Sequence, residues 1–138
     1  RDVDPGAGQR APSFAVRVLT FSPPSPATKD LPLSIPEITP AEFLARKERG
    51  ENLTLLDVRE AWELGIVSLP GIVHIPMNEV QDRLAELDKA VETVVLCRSG
   101  RRSLEVARLL QQHGFRTVNL AGGMLAWSND VDPSLPTY

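Results

Sequence analysis

The sequence predicts an α/β protein of three layers: a central parallel sheet of about four or five strands with helices on both faces. Three observations carry this. Short apolar runs rich in branched residues alternate with amphipathic stretches from Leu53 to Trp127. Capping residues and glycines fall where each stretch starts and stops. The chain has 138 residues, 42% of them hydrophobic, which suits one domain with a real core.

Taken in order, Thr39-Pro40-Ala41-Glu42 has a helix start: a capping threonine, proline in the first turn and a glutamate that can bond back. This helix is expected to reach about Arg49, with Gly50 as its stop. Leu53 to Val58, LTLLDV, reads as a buried strand. Glu60 to Leu64 suits a short helical turn, and GIVHIP a second short strand closed by Pro76. Asn78 with Gln81 repeats the capping pattern, and Val80, Leu84 and Leu87 mark one face of a helix. Thr93 to Cys97 reads as a strand. Arg102 to His113 reads as a helix with Val106, Leu109, Leu110 and His113 on one side, ended by Gly114. RTVNL is the next strand, and GGMLAW starts the last helix.

The N-terminal part differs. Eight of the 12 prolines lie in residues 1–40, and proline resists both helix and central strand. Residues 1–34 therefore read as an extended proline-rich segment or linker, and 35–138 as the folded domain. The apolar stretch Phe14 to Phe21 could be a stray strand or lie along a surface. A start at Arg1 suits a processed product or a piece of something longer.

A net charge of −3 argues against non-specific nucleic-acid binding, which needs a basic surface. No apolar run approaches the roughly 20 residues that span a bilayer, so no membrane partner is expected. A single cysteine excludes an intrachain disulfide and a CxxC metal or redox site; neither metal nor cofactor is expected. A lone cysteine fits a reducing compartment, and a cytoplasmic location is the expectation.

That cysteine carries the chemistry. In Val94 to Ser103, VVLCRSGRRS, an apolar strand ends on Cys97, and a loop with one glycine and three arginines leads into a helix. Ligands of open parallel sheets bind beyond the carboxyl ends of the strands, where Cys97 is expected. The free N–H groups of a helix start, the helix dipole and Gly100 together make an anion-binding nest. Arg98, Arg101 and Arg102 add positive charge. A thiol in that field is expected to ionise more readily than a free one. A lone buried cysteine is often only a small hydrophobe; the arginines, glycine and helix beside Cys97 favour a reactive thiolate facing a sulfur or phosphorus oxyanion.

The segments LLDVRE (Leu55 to Glu60), LPGIVHIP (Leu69 to Pro76), CRSGRRS and LAGGMLAW (Leu120 to Trp127), in this order and spacing, resemble the rhodanese-homology family of sulfurtransferases across about residues 37–138. The ending VDPSLPTY resembles rhodanese domains fused behind adenylating enzymes of the molybdopterin and thiamine sulfur-carrier systems. The resemblance implies a rhodanese-like fold over 35–138 and a ping-pong reaction: Cys97 takes the outer sulfur of a donor such as thiosulfate as a persulfide and passes it to cyanide, a thiol or a sulfur-carrier protein. It implies a persulfide-binding loop of Arg98, Ser99, Gly100, Arg101, Arg102 and Ser103. Asp57 and Arg59 are implied as support for that loop; a helix-capping aspartate with a surface arginine is the plainer alternative. The partners implied are a small sulfur-anion donor and a sulfur-carrier protein or cysteine desulfurase. Many relatives have histidine where Ser68 stands, a position not expected to do chemistry.

Two other functions compete with this reading. Cysteine phosphatases place five residues between cysteine and arginine, whereas four lie between Cys97 and Arg102. The shorter ring should suit a sulfur atom better than a phosphoryl group. A non-catalytic binding module is the other, and the retained Cys97 argues against it. A cysteine-protease arrangement has no support: His113 and His74 both read as structural. Gly122-Gly123 could bind an anion but better explain a sharp helix entry. Trp62 and Trp127 read as core or edge packing, and Ser103 as a loop donor or helix cap.

Overall fold

Nine-residue helix α1 (Pro40–Glu48) follows a two-residue strand β1 (Glu37–Ile38) in the computed structural model, which describes residues 35–138. The expectations for residues 1–34 lie outside the described residues. Thr39 caps α1 as expected: its hydroxyl accepts from the Glu42 amide at 3.1 Å, and the Glu42 carboxylate accepts from the Thr39 amide at 2.7 Å. Then come β2 (Leu53–Asp57), α2 (Ala61–Ile66), β3 (Val73–His74), two 3-10 turns (Met77–Glu79 and Gln81–Glu86), β4 (Glu92–Leu96), α3 (Arg101–Gln112), β5 (Thr117–Leu120) and α4 (Gly123–Asp130).

The strands form one five-stranded sheet in the order β1-β5-β4-β2-β3, and every pairing is parallel. The register aligns Asp57 with Leu96 and Val95 with Asn119, so β2, β4 and β5 end along one edge. From β2 the chain goes outward to β3, then crosses back to β4 on the other side of β2. Connections diverge there, at the carboxyl edge where open parallel sheets bind their ligands.

Alternation of side chains along the strands loads both faces. One face packs Leu56 and Val95 against Val106, Ala107 and Leu110 of α3, with Val80 and Leu87 from the 3-10 region. The other packs Leu53, Leu55, Val94 and Leu96 against Phe43 of α1 and Met124 and Trp127 of α4. The three-layer expectation is met, with α1 and α4 on one face and α3 on the other.

Three local readings change, and that of the two tryptophans is divided between core and edge. β1 was not expected; it pairs Glu37 with Asn119 and adds an edge strand. The helix expected from Asn78 is two 3-10 turns: no side chain caps either, and Arg83 breaks the second at φ −121°, ψ 23° while its guanidinium pairs with Glu79 and Glu86. The buried face of α3 is Ser103, Val106, Ala107 and Leu110, one helical stripe; Leu109 is half-buried and His113 exposed. Trp127 is core, tilted against Phe43 at 5.8 Å, whereas Trp62 is an edge residue, 65% exposed.

Candidate active site

Cys97 is the first residue beyond β4, the central strand, at the carboxyl edge. The strand cannot continue, because Gly100 at φ 100° turns the chain into α3. That turn brings the Gly100 amide back onto the cysteine, where it donates to Sγ at 3.0 Å. On the inner side, Sγ donates to the Ser103 hydroxyl at 3.3 Å, and Ser103 donates to Oδ1 of Asn119 at 2.6 Å. Asn119 in turn donates to Glu37 Oε2 at 2.9 Å and to the Gly100 carbonyl at 3.1 Å. The thiol is thus closed in rather than standing at the rim, with 1% of its surface exposed. It is not merely packed among apolar atoms, because an amide and a hydroxyl converge on it.

The turn is clamped from behind. The amides of Met124 and Leu125, at the start of α4, donate to the carbonyls of Cys97 at 2.9 Å and Arg98 at 3.0 Å. These are N–H groups that a helix start leaves without partners of its own. So close an approach requires glycine: a Cβ on Gly123 would collide with the Cys97 carbonyl oxygen and lie 2.7 Å from the Arg98 carbonyl group. Gly122-Gly123 therefore do more than admit a bend; they let α4 dock on the loop.

The three loop arginines have different surroundings. Arg102 is held by Glu63 through two charge-assisted bonds of 2.7 and 2.8 Å. Those bonds from Arg102, the strongest influence, hold the Glu63 carboxyl well below its ordinary range, at about 2, despite its burial; Glu63 in turn raises Arg102. Arg101 is exposed. The Arg98 guanidinium lies over the ring of Tyr138 at 5.1 Å, and its Nε is buried with no hydrogen-bond partner among the described residues.

Asp57 and Arg59 form a fully buried ion pair with an Nη2–Oδ2 distance of 2.8 Å. Arg59 also donates to the Val67 carbonyl at 2.9 Å and to the Tyr138 hydroxyl at 3.0 Å. Burial works against its charge, but the bonds to Asp57 and Tyr138 outweigh it and raise its pKa. The pair reaches the loop indirectly, since Tyr138 donates to Glu63 at 2.7 Å and Glu63 holds Arg102. Ser99 is exposed on the loop, and Ser68 is exposed outside it. His74 donates through Nε2 to the Arg59 carbonyl at 2.7 Å, and His113 approaches Gln81 at 3.4 Å; neither bonds to Cys97.

With this geometry in view, residues 39–130 match the model of the rhodanese-like domain. The chain belongs to the rhodanese-like domain family. Over 101 residues it is 42% identical to "Putative sulfurtransferase YtwF" of Bacillus subtilis (strain 168), covering 73% of this chain and 98% of that protein. Over 137 residues it is 34% identical to adenylyltransferase and sulfurtransferase MOCS3-1 of Zea mays, covering 91% of this chain but 29% of that one. In three dimensions it resembles a rhodanese-like domain protein from Staphylococcus aureus: TM-score 0.66, 29% identity, 75% of this chain and 99% of that one.

Within this rhodanese-like domain, four residues of the site escaped the sequence reading: Glu37, Glu63, Asn119 and Tyr138. Asn119 had a signal, an amide set between the apolar Val118 and Leu120 of its strand. Glu63 and Tyr138 had none nearby, because they meet Arg102 and Arg59 only across the fold, 39 and 79 residues apart.

Proposed function

We propose that this chain is a sulfurtransferase that carries a sulfane sulfur as a persulfide on Cys97, with thiosulfate as a competent donor. The carrying observation is the Gly100 amide aimed at Sγ at 3.0 Å from a turn clamped by α4. A fixed N–H donor beside the sulfur stabilises negative charge on it without reorganisation, in the manner of an oxyanion hole. Membership of the rhodanese-like family and the likeness to a protein named as a sulfurtransferase support the same reading.

The Cys97 thiolate attacks the outer sulfur of thiosulfate. The sulfur–sulfur bond of the donor breaks, and sulfite leaves with the bonding pair. The enzyme holds a persulfide anion, so charge and atoms balance. A nucleophile, cyanide in an assay or a thiol or sulfur-carrier protein, then attacks the terminal sulfur and restores the thiolate. Arg98 and Arg101 supply the positive field for the donor; Arg102 is matched by Glu63 and anchors the loop. Ser103 stands where its hydroxyl can exchange between accepting from the thiol and donating to the sulfur anion. The tight turn around Sγ favours a donor that presents one atom.

Intact mass spectrometry after thiosulfate treatment tests this. The chain should gain about 32 Da, one sulfur on an activated nucleophile. Cyanide should remove the gain with release of thiocyanate, and Cys97→Ala should abolish it. A mass that never moves, or that moves in the alanine variant, would reject the assignment.

A further inference from the structure

The segment after α4 returns to the active-site edge and delivers Tyr138. Its path is fixed by the Leu135 amide donating to the Asp132 carbonyl at 3.1 Å and the Ser128 hydroxyl donating to the Leu135 carbonyl at 3.2 Å. Tyr138 then meets three arginine systems at once. Its hydroxyl accepts from Arg59 and donates to Glu63, the carboxylate that holds Arg102. Its ring lies under the Arg98 guanidinium at 5.1 Å and meets Trp62 edge-on at 6.1 Å. With the hydroxyl fixed at one end and Trp62 at the side, the ring plane has little freedom. Arg59 and Arg102 are each matched by a carboxylate; among the described residues Arg98 has no such partner.

We propose that Tyr138 is a positioning residue: its π face holds Arg98 beside the Cys97 turn as an unneutralised cation, and this sets the preference of the site for anionic reagents. A carboxylate at this position would hold Arg98 as firmly but cancel its charge. An aromatic face holds a guanidinium and leaves its charge available to an incoming anion. The buried, unpartnered Nε of Arg98 is the donor left over by this arrangement. The inference deepens the sulfurtransferase reading and rests on it for the identity of the anion.

The test compares alkylation of Cys97 in the full 138-residue chain by iodoacetate, an anion, and iodoacetamide, its neutral counterpart, at low ionic strength. The ratio of the two rates reports anion preference whether or not thiosulfate is a substrate. Tyr138→Met fills the space without a π face and should lower the ratio about fivefold, the scale of one partly desolvated cation–π contact. Arg98→Ala should lower it equally, and the double variant no further. Tyr138→Phe keeps the ring but loses the bonds that fix it, and should lower the ratio less than Tyr138→Met does. In thiosulfate:cyanide transfer the methionine variant should raise KM by the same factor and leave kcat nearly unchanged. A parental ratio in Tyr138→Met would overturn the proposal. So would multiplicative losses in the double variant, or a parallel fall of both alkylation rates, which would mark Tyr138 as a general brace of the loop. If the ratios behave as expected while thiosulfate adds no sulfur, the donor assignment fails and the role of Tyr138 stands. If sulfur transfer proceeds and the ratios do not move, the reverse holds.

Discussion

The turn after β4 and the turn after β5 both run from a buried strand into a helix through a left-handed glycine, Gly100 at φ 100° and Gly122 at φ 74°. Neither helix has a side-chain cap, so the N–H groups at both starts turn to acceptors outside the helix. The two turns differ in where those groups point. After β4 the Gly100 amide turns inward onto Sγ. After β5 the amides of Met124 and Leu125 reach across to the carbonyls of the first turn. One turn makes the site and the other makes it rigid. The amides of the second turn are thus taken up by the chain's own carbonyls, whereas the first turn aims one at a sulfur.

The same small change should therefore act differently in the two turns. Gly123→Ala is the most severe. Residue 123 lies at φ 57°, and the added carbon would collide with the Cys97 carbonyl oxygen. The obstacle is backbone of the turn that leaves the central strand, which cannot yield without parting α4 from the loop. The expected loss is at least about 4 kcal/mol, read as a fall in urea midpoint or a failure to fold. A variant of parental stability would show that the contact between the two turns is dispensable.

Next comes the mesh of charge outside the loop. Glu63 has its pKa depressed to about 2 by the Arg102 bonds. A carboxylate whose folded pKa is lowered stabilises the protein above its unfolded pKa and loses that effect as pH falls towards the folded value. The window here runs from about 4.5 down to about 2. Urea unfolding at pH 5 and pH 3 should show that Glu63 accounts for about 2 kcal/mol of the acid loss. In Glu63→Gln that part of the slope should vanish. Parallel acid profiles would mean that the Glu63–Arg102 pair contributes nothing to folding.

How far the sequence foretold this arrangement depended on the range of each interaction. The parallel sheet, the place of Cys97 and the Thr39 cap were legible because periodicity and capping are local. The helix expected after Asn78 was not, because the capping and apolar pattern is present while the backbone leaves helical space at Arg83. β1 has two residues, too few for a period, and exists because β5 offers it an edge. In the site, Arg102 looked like one of three equivalent cations. Its pairing with Glu63 depends on α2 and α3 meeting in space, so only the fold separates it from Arg98. Tyr138 stood in a stretch whose resemblance could be stated but whose destination could not.

Gly100→Ala is the mildest change for stability and the sharpest for the comparison. At φ 100° an L-residue is strained, and the new carbon would lie 3.3 Å from the Gly122 nitrogen, a tight contact that a small shift relieves. The stability cost should be about 1–2 kcal/mol, well short of that at Gly123. The shift, however, carries the Gly100 amide away from Sγ, and with it the one backbone donor the described structure shows on that atom. Formation of the +32 Da adduct, about one sulfur, should therefore slow at least about tenfold while the chain stays folded. A Gly100→Ala protein that takes up sulfur at the parental rate would mean that the amide does not stabilise the sulfur anion. The distinction drawn between the two turns would then reduce to one of packing, with the cysteine reactive for reasons that lie elsewhere in the arginine field.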